Sequence, residues 1–154
     1  MDLVVQKAAE LGVSHLVPVL TERSVVRLTA QQSARKMNHW RAIAIAACEQ
    51  CGRNRLPSVA APLTLRDVLK GDAGAPPDTR LLLSPVGTAA LNDVPRPDGG
   101  VTVLIGPEGG LTDEEEHAAV AAGFTALRLG PRVLRTETAA IAALALLQRT
   151  FGDL

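Results

Sequence analysis

Three short, continuous apolar runs, each followed by a serine or glycine and then a proline, are the most regular pattern in this sequence. They lie at residues 81–83, 101–105 and 125–129. Continuous apolar runs, rather than alternating ones, are typical of strands that are covered on both faces of a parallel sheet. The pattern therefore predicts three parallel strands, each of which leads into a loop that begins with a small residue and proline.

Helical periodicity marks the segments around these runs. Residues 31–50 place apolar side chains at the spacing of one buried helix face, and Thr112 with Glu115 predicts a capping box for a helix that ends at Gly123. The remaining predicted elements are a helix at 2–11 with Asp2 as its cap, a strand at 15–20, an extended piece at 57–60, a helix opening at 64–67, a loop at 71–79 and a last helix at 137–151. This alternation predicts an α/β fold with a mostly parallel sheet flanked by helices.

Composition and charge narrow the function classes. The 154 residues suit one domain, and with only two Phe, one Trp and no Tyr the sequence argues against modules that stack RNA bases on aromatic side chains. The net charge is zero, but residues 1–60 hold eight basic and four acidic side chains. That local excess, mostly arginine, permits an anionic partner at the N-terminal half.

Nothing in the sequence predicts insertion into a membrane or secretion. The longest apolar run, residues 139–147, is far shorter than the roughly 20 residues that a membrane-spanning helix needs. No basic start followed by an apolar stretch and a small-residue cleavage site occurs. We therefore expect a cytoplasmic protein.

Two loops carry the residues that are hardest to explain by folding alone. Residues 105–110 include three glycines, which let the backbone approach a ligand closely. Residues 129–139 gather polar side chains at the start of the last helix, where Thr136 is explained as a cap and Glu137 by the helix dipole. Arginines at a helix start are electrostatically unfavourable, so Arg132 and Arg135 indicate an anionic partner.

These two loops, together with residues 6–12 and 46–55, resemble the RsmE family of SPOUT RNA methyltransferases, and the match is collinear over nearly the whole chain. The resemblance implies a deep C-terminal trefoil knot and a homodimer packed through the knot and the last helix. The spacing of the cysteines and histidines, by itself, predicts no metal. The resemblance also implies methylation of N3 of a uridine in 16S ribosomal RNA of the small subunit. The family carries an additional N-terminal PUA-like β-barrel that binds RNA. We expect this sequence to be without that barrel and residues 1–154 to be the methyltransferase domain alone.

The resemblance further implies an S-adenosylmethionine site at the three loops, with apolar side chains against the adenine and backbone groups that read its edge. The residues that it assigns to cofactor binding are Leu83, Ser84, Pro85, Gly106, Pro107, Glu108, Gly109, Gly110, Leu129, Gly130, Arg132, Val133, Leu134, Thr136 and Ala139.

The uridine N3 carries a proton, so the proposed chemistry needs a proton acceptor. Arginine stays protonated in proteins and cannot fill that role, but it can stabilise negative charge on the uracil oxygens. The candidates for this are Arg53, Arg55 and Arg135, with Glu137 as the nearest acceptor. A role limited to RNA phosphate contacts is an equal alternative for each arginine.

Other functions stay open from sequence. A knotted methyltransferase could act elsewhere, for example on a ribose 2′-hydroxyl, and a non-catalytic RNA-binding module would share the arginine-rich half. A nucleotide-binding domain is disfavoured because phosphate-loop motifs are absent. Cys48 and Cys51 form a C-x-x-C pair, but no second pair completes a zinc site, and the pair ends a helix rather than starting one, unlike thioredoxin-type motifs.

Overall fold

The computed structural model describes residues 1–24, 29–71 and 79–154, so the predicted loop at 71–79 lies almost entirely outside the described residues. The helices are α1 Asp2–Glu10, α2 Ala30–Cys51, α3 Leu65–Leu69, α4 Asp113–Ala121 and α5 Thr136–Phe151. The strands are β1 His15–Leu16, β2 Val19–Leu20, β3 Ser58–Val59, β4 Leu63–Thr64, β5 Thr79–Leu83, β6 Val101–Ile105 and β7 Thr125–Leu127. The described residues form two compact units, one of residues 1–20, 29–63 and 140–154 and one of residues 21–24, 64–71 and 79–139.

The second unit is built on a three-stranded parallel sheet in the order β6-β5-β7. On the central strand, the consecutive residues Leu81 and Leu82 are 1% and 0% exposed, so both faces of the sheet are covered. Leu82 pairs with Leu104 on one side and with Ala126 on the other. The prediction of an α/β fold with three parallel strands is confirmed, although β7 ends at Leu127 rather than at Leu129. The trefoil knot stays a prediction.

The first unit is a pair of packed helices beside short strands. Val5 of α1 packs with Trp40 and Ala44 of α2 in a buried cluster. The predicted strand at 15–20 is wrong, because the structure has two separate strands of two residues each there. Pro18 lies between them and has no N–H to donate to a sheet, although its carbonyl accepts a bond from the Leu63 amide at 3.0 Å.

The helix cap predicted from sequence at α4 is confirmed, and the one predicted at α1 is wrong. Thr112 and Glu115 form the predicted capping box, although α4 ends at Ala121 rather than at Gly123. Asp2 is not a cap, because α1 already includes it and its carboxylate lies instead 3.1 Å from the indole nitrogen of Trp40 and 2.9 Å from a ring nitrogen of His39.

The last helix is buried along one stripe only. Ala140, Ala143 and Leu147 are buried, while Leu146 is 44% exposed. None of the helices in the described ranges is long and apolar enough to cross a membrane.

Gln148 of α5 ties the last helix to the end of α1. Its side-chain amide nitrogen donates to the Leu11 carbonyl at 2.7 Å. Gly12, with a φ of +81°, leaves the room that this amide occupies, because a Cβ at Gly12 would collide with it. Only glycine meets both requirements here without strain.

Candidate functional site

A cavity of about 570 Å³ opens at the carboxyl ends of the three parallel strands in the second unit. Loops that follow β5, β6 and β7 form its walls, and the first turn of α4 adds Glu116. Open parallel sheets bind ligands at this edge, where loops present backbone groups beyond the strand ends. The volume lies within the range of small-molecule and cofactor sites.

The structure brings most of the sequence-predicted residues to this cavity. Its lining includes every predicted cofactor residue except Gly109, together with two of the predicted catalytic residues, Arg135 and Glu137. Sequence reasoning missed five lining residues, which are Ile105, Leu111, Glu116, Leu127 and Arg128. Of these, Glu116 stands in an acidic run that the helix dipole already explained, so it gave no signal of its own.

The loop after β6 is a tight turn that an arginine holds in place. The Gly110 amide donates to the Pro107 carbonyl at 2.8 Å, and Gly110 has a φ of +70°. Arg23 donates from one guanidinium nitrogen to the carbonyls of Gly109 and Leu111, at 3.0 and 3.1 Å. Gly109 therefore lies on the Arg23 side of the turn rather than in the cavity lining.

The loop before α5 presents apolar and cationic side chains that the protein itself leaves uncovered. Val133 lines the cavity and is 79% exposed, and Arg132 and Arg135 are also exposed. Gly130 turns this loop with a φ of +118°, and its carbonyl accepts a bond from the Arg128 side chain at 3.0 Å. An exposed apolar side chain in a concave site is a surface that a ligand can cover.

Thr136 links two of the loops rather than capping its helix, so the predicted capping role is wrong. It is the first residue of α5, and its hydroxyl donates to the Gly106 carbonyl at 3.2 Å. A Cβ at Gly106 would stand 3.2 Å from the Leu111 amide nitrogen, closer than an ordinary contact. The β6 loop is therefore packed tightly against its own turn and bonded to the start of α5.

Ser84, directly after the central strand, is buried with 3% exposure and donates its hydroxyl to a carboxylate oxygen of Glu116 at 3.1 Å. The same hydroxyl oxygen accepts a bond from the Val86 amide at 3.3 Å. The Ser84 hydroxyl thus acts both as a donor and as an acceptor, which fixes its orientation. Glu116 is thereby held at the cavity wall.

The other two predicted catalytic residues belong to the first unit. The Arg53 guanidinium donates to the carbonyls of Ala9, Gly12 and Val13, at 3.0, 3.0 and 2.7 Å. Ala9 lies in the last turn of α1, so the Arg53 cation also complements the negative end of the helix dipole. Arg53 is therefore a clamp within its own unit, whereas Arg55 is exposed.

The C-x-x-C pair forms no metal cluster in the structure. Cys48 is buried, Cys51 is exposed and both are free thiols. Within residues 1–24, 29–71 and 79–154, no three His, Cys, Asp or Glu side chains lie close enough together to hold a metal ion.

Comparison with known proteins places the fold and the family. A solved methyltransferase of Legionella pneumophila in complex with the cofactor SAM superposes with a TM-score of 0.94 and 46% identity, covering 100% of this chain and 62% of that one. A ribosomal RNA small subunit methyltransferase E of Neisseria gonorrhoeae, bound to S-adenosyl methionine, has a TM-score of 0.91 and 42% identity over the same shares.

Curated relatives agree with these structures. The ribosomal RNA small subunit methyltransferase E of Buchnera aphidicola (from Schizaphis graminum) is 38% identical over 154 residues, which is 100% of this chain and 62% of the relative. The protein of the same name in Synechocystis is 38% identical over 148 residues, 92% of this chain and 46% of the relative. The chain thus spans about half to three fifths of the length of these relatives.

A family model described as the RNA methyltransferase domain matches residues 1–148. The resemblance to the RsmE family, seen in four separate segments of the sequence, is confirmed by the relatives of that name. The chain therefore belongs to the RNA methyltransferase domain family.

Proposed function

We propose that this protein transfers a methyl group from S-adenosylmethionine to N3 of a uridine in 16S ribosomal RNA of the small subunit. The observation that carries the proposal is the cavity at the three strand ends, lined by residues of all three loops. Further support comes from two similar solved structures that hold this cofactor. A ribosomal substrate would place the protein in the cytoplasm.

The residues around the cavity suit the proposed cofactor. Gly130 leaves room for close backbone approach, because a Cβ there would meet no atom within 4 Å, and its φ is positive. Leu134 and the exposed Val133 offer apolar surface for the faces of the adenine. We propose that these residues, with Thr136 and the other lining residues assigned from sequence, hold the cofactor.

When bound, S-adenosylmethionine supplies an electrophilic methyl group, which passes to the uracil N3 as the sulfonium S–C bond breaks and the N3 proton leaves. Two charged side chains of the cavity suit the chemistry at the uracil, which accepts the methyl group and must lose a proton. Glu137 would accept the proton, and Arg135 would stabilise negative charge on the uracil oxygens. Arg135 directly precedes α5 and Glu137 is the second residue of that helix, so the two lie on either side of Thr136.

The two arginines of the first unit have different proposed roles. Three carbonyl bonds already engage Arg53, so its proposed contribution is to hold α1 and the adjoining loop in shape. Arg55 is exposed and suits an RNA phosphate.

We also propose a homodimer packed through the knot and the last helix. Support comes from the face of α5 that this chain leaves uncovered, which includes Leu146. Symmetric two-fold pairing is the commonest way in which soluble proteins cover such a surface.

Three measurements test the proposed function. Calorimetric titration should show S-adenosylmethionine binding, and tritiated methyl groups should enter small ribosomal subunits that lack the modification. Digestion and mass spectrometry of the labelled RNA should give 3-methyluridine. A 2′-O-methylated nucleoside would favour the alternative knotted methyltransferase, and RNA binding with no label at all would favour a non-catalytic module.

The Glu137→Gln variant tests the proposed proton acceptor. We expect kcat to fall by about a hundredfold, while the dissociation constant for S-adenosylmethionine stays within about twofold because the amide keeps the shape of the side chain. Glu114→Gln is the matched control, because Glu114 is an exposed glutamate in the first turn of α4 and does not line the cavity. Equal rates for the parent and Glu137→Gln would remove Glu137 from the mechanism.

A further inference from the structure

Glu116 differs from the other three acidic residues in the first turn of α4 because it lies at the cavity and bonds a buried side chain. The capping box uses Thr112 and Glu115, and the Glu115 carboxylate accepts the amides of both Thr112 and Glu22, at 3.0 and 2.8 Å. Asp113 and Glu114 already place negative charge at the exposed start of the helix. Glu116 alone of the four acidic residues lines the cavity.

Glu116 lines the cavity, and its carboxylate has no basic partner among the described residues. No Lys, Arg or His side chain lies within 4 Å of it among residues 1–24, 29–71 and 79–154. Its hydrogen bond comes from the buried hydroxyl of Ser84, a neutral donor at 3.1 Å. A half-buried carboxylate that is oriented by a neutral donor keeps its negative charge available to a ligand.

The other charged groups of the cavity are three arginines and two glutamates. Arg128 bonds the Gly130 carbonyl, Arg132 and Arg135 are exposed, and Glu108 and Glu137 belong to the loops after β6 and before α5. Arginines suit the carboxylate of an amino-acid ligand. The cationic groups of the same ligand need an anion, and Glu116 is the one that the fold holds in place through a buried side chain.

We infer that Glu116, positioned by Ser84, is the counter-charge for the cationic methionine portion of the bound cofactor. This inference rests on the proposed function. S-adenosylmethionine carries a sulfonium and an α-ammonium, whereas the product S-adenosylhomocysteine keeps the ammonium and has a neutral thioether. A carboxylate close to the sulfonium favours the substrate form over the product and thereby aids product release. A carboxylate close to the ammonium strengthens both forms equally.

The test is calorimetric binding of both compounds to the parent and to Glu116→Gln. The glutamine side chain keeps the shape and can still accept the Ser84 hydrogen bond, so the change removes charge alone. We expect the dissociation constant for S-adenosylmethionine to rise about tenfold, the size expected for losing a charged hydrogen bond that is partly exposed. An equal rise for S-adenosylhomocysteine would assign the ammonium, and an unchanged product affinity would assign the sulfonium.

Controls separate this inference from the proposed function. Glu114→Gln removes the same charge from the same helix turn and should change neither affinity by more than about twofold. Ser84→Ala should give a smaller loss of S-adenosylmethionine affinity, about threefold, because the carboxylate remains but is no longer oriented. Raised ionic strength should weaken S-adenosylmethionine binding by the parent protein without any substitution.

Unchanged affinities in Glu116→Gln, with the parent binding the cofactor, would overturn the inference and leave the proposed function intact. A parent protein that binds neither compound would overturn the proposed function itself.

Discussion

The hydroxyl of Thr136 donates a hydrogen bond to the carbonyl of Gly106 at 3.2 Å, which joins the first residue of α5 to the loop after β6. Two of the three loops around the cavity are thus linked by one side chain. Because catalysis by positioning depends on small displacements of the groups that hold a substrate, this bond should matter more for ligand binding than for folding.

Replacing Thr136 by valine removes the hydroxyl but keeps the branched shape. We expect a loss of about 1 kcal/mol in the free energy of unfolding and a several-fold weaker affinity for S-adenosylmethionine. Thr138→Val is the matched control, since Thr138 is exposed two residues later in the same helix. Denaturant titration and calorimetry measure the two effects, and equal cofactor affinities in the two variants would show that the bond does not shape the site.

Gly130 and Gly123 both have a positive φ, but only Gly130 lies at the cavity. Their φ angles are +118° and +91°, and a Cβ at either would meet no atom within 4 Å. Alanine at either position should cost about 1 to 2 kcal/mol through backbone strain. Only Gly130→Ala should also abolish cofactor binding, because Gly130 lines the cavity and Gly123 does not. Loss of binding in both variants would indicate a general effect of instability.

The three carbonyl bonds of Arg53 predict a stability effect that Arg55 should not share. Arg53→Ala should lower the free energy of unfolding by about 2 kcal/mol, or the melting temperature by about 4 to 8 °C for a chain of this size. Arg55→Ala should leave the melting temperature unchanged and weaken RNA binding at low salt. An unchanged melting temperature for Arg53→Ala would contradict the stabilising role of its three carbonyl bonds.

Asp2 predicts a pH dependence at the start of α1. The hydrogen bond with His39, and to a lesser degree that from Trp40, holds the pKa of Asp2 below its ordinary value of 3.8. Because the folded pKa is the lower one, the stabilisation is present above the unfolded pKa and is lost as the pH falls through the folded value.

Asp2→Asn should therefore lower the urea midpoint slightly at about pH 6, and its difference from the parent should vanish near pH 2. The effect is small because Asp2 is exposed to solvent. Asp98→Asn is the control, because Asp98 is exposed. Its urea midpoint should differ from that of the parent by the same amount at every pH in this range.

Local chemistry made much of the second unit predictable. The consecutive buried leucines of β5 follow from a continuous apolar run, and the Thr112–Glu115 capping box follows from two side chains three residues apart. The loops of the cavity could be found because a small residue and a proline follow each strand, directly after β5 and β6 and three residues beyond the end of β7. These features depend on neighbours in sequence, so the sequence alone is enough to predict them.

Other features depend on partners that are distant in sequence. Arg53 bonds carbonyls 40 to 44 positions away, and Ser84 bonds a glutamate 32 positions away. Thr136 has the residue type and place of a helix cap, yet it bonds Gly106, 30 positions earlier. In each case the side chain has several possible partners, and only the tertiary arrangement selects among them.

The bond between Gln148 and the Leu11 carbonyl spans 137 positions, and this separation has a kinetic consequence. A contact between such remote segments closes a very long loop, so its entropic cost is met only after the intervening chain has ordered. We therefore place this bond after the rate-limiting barrier of folding. Gln148→Ala should speed unfolding about fivefold for a loss of 1 kcal/mol and leave the refolding rate as it was. Stopped-flow unfolding and refolding rates with this pattern would mean that the bond between Gln148 and Leu11 is already broken in the transition state for unfolding.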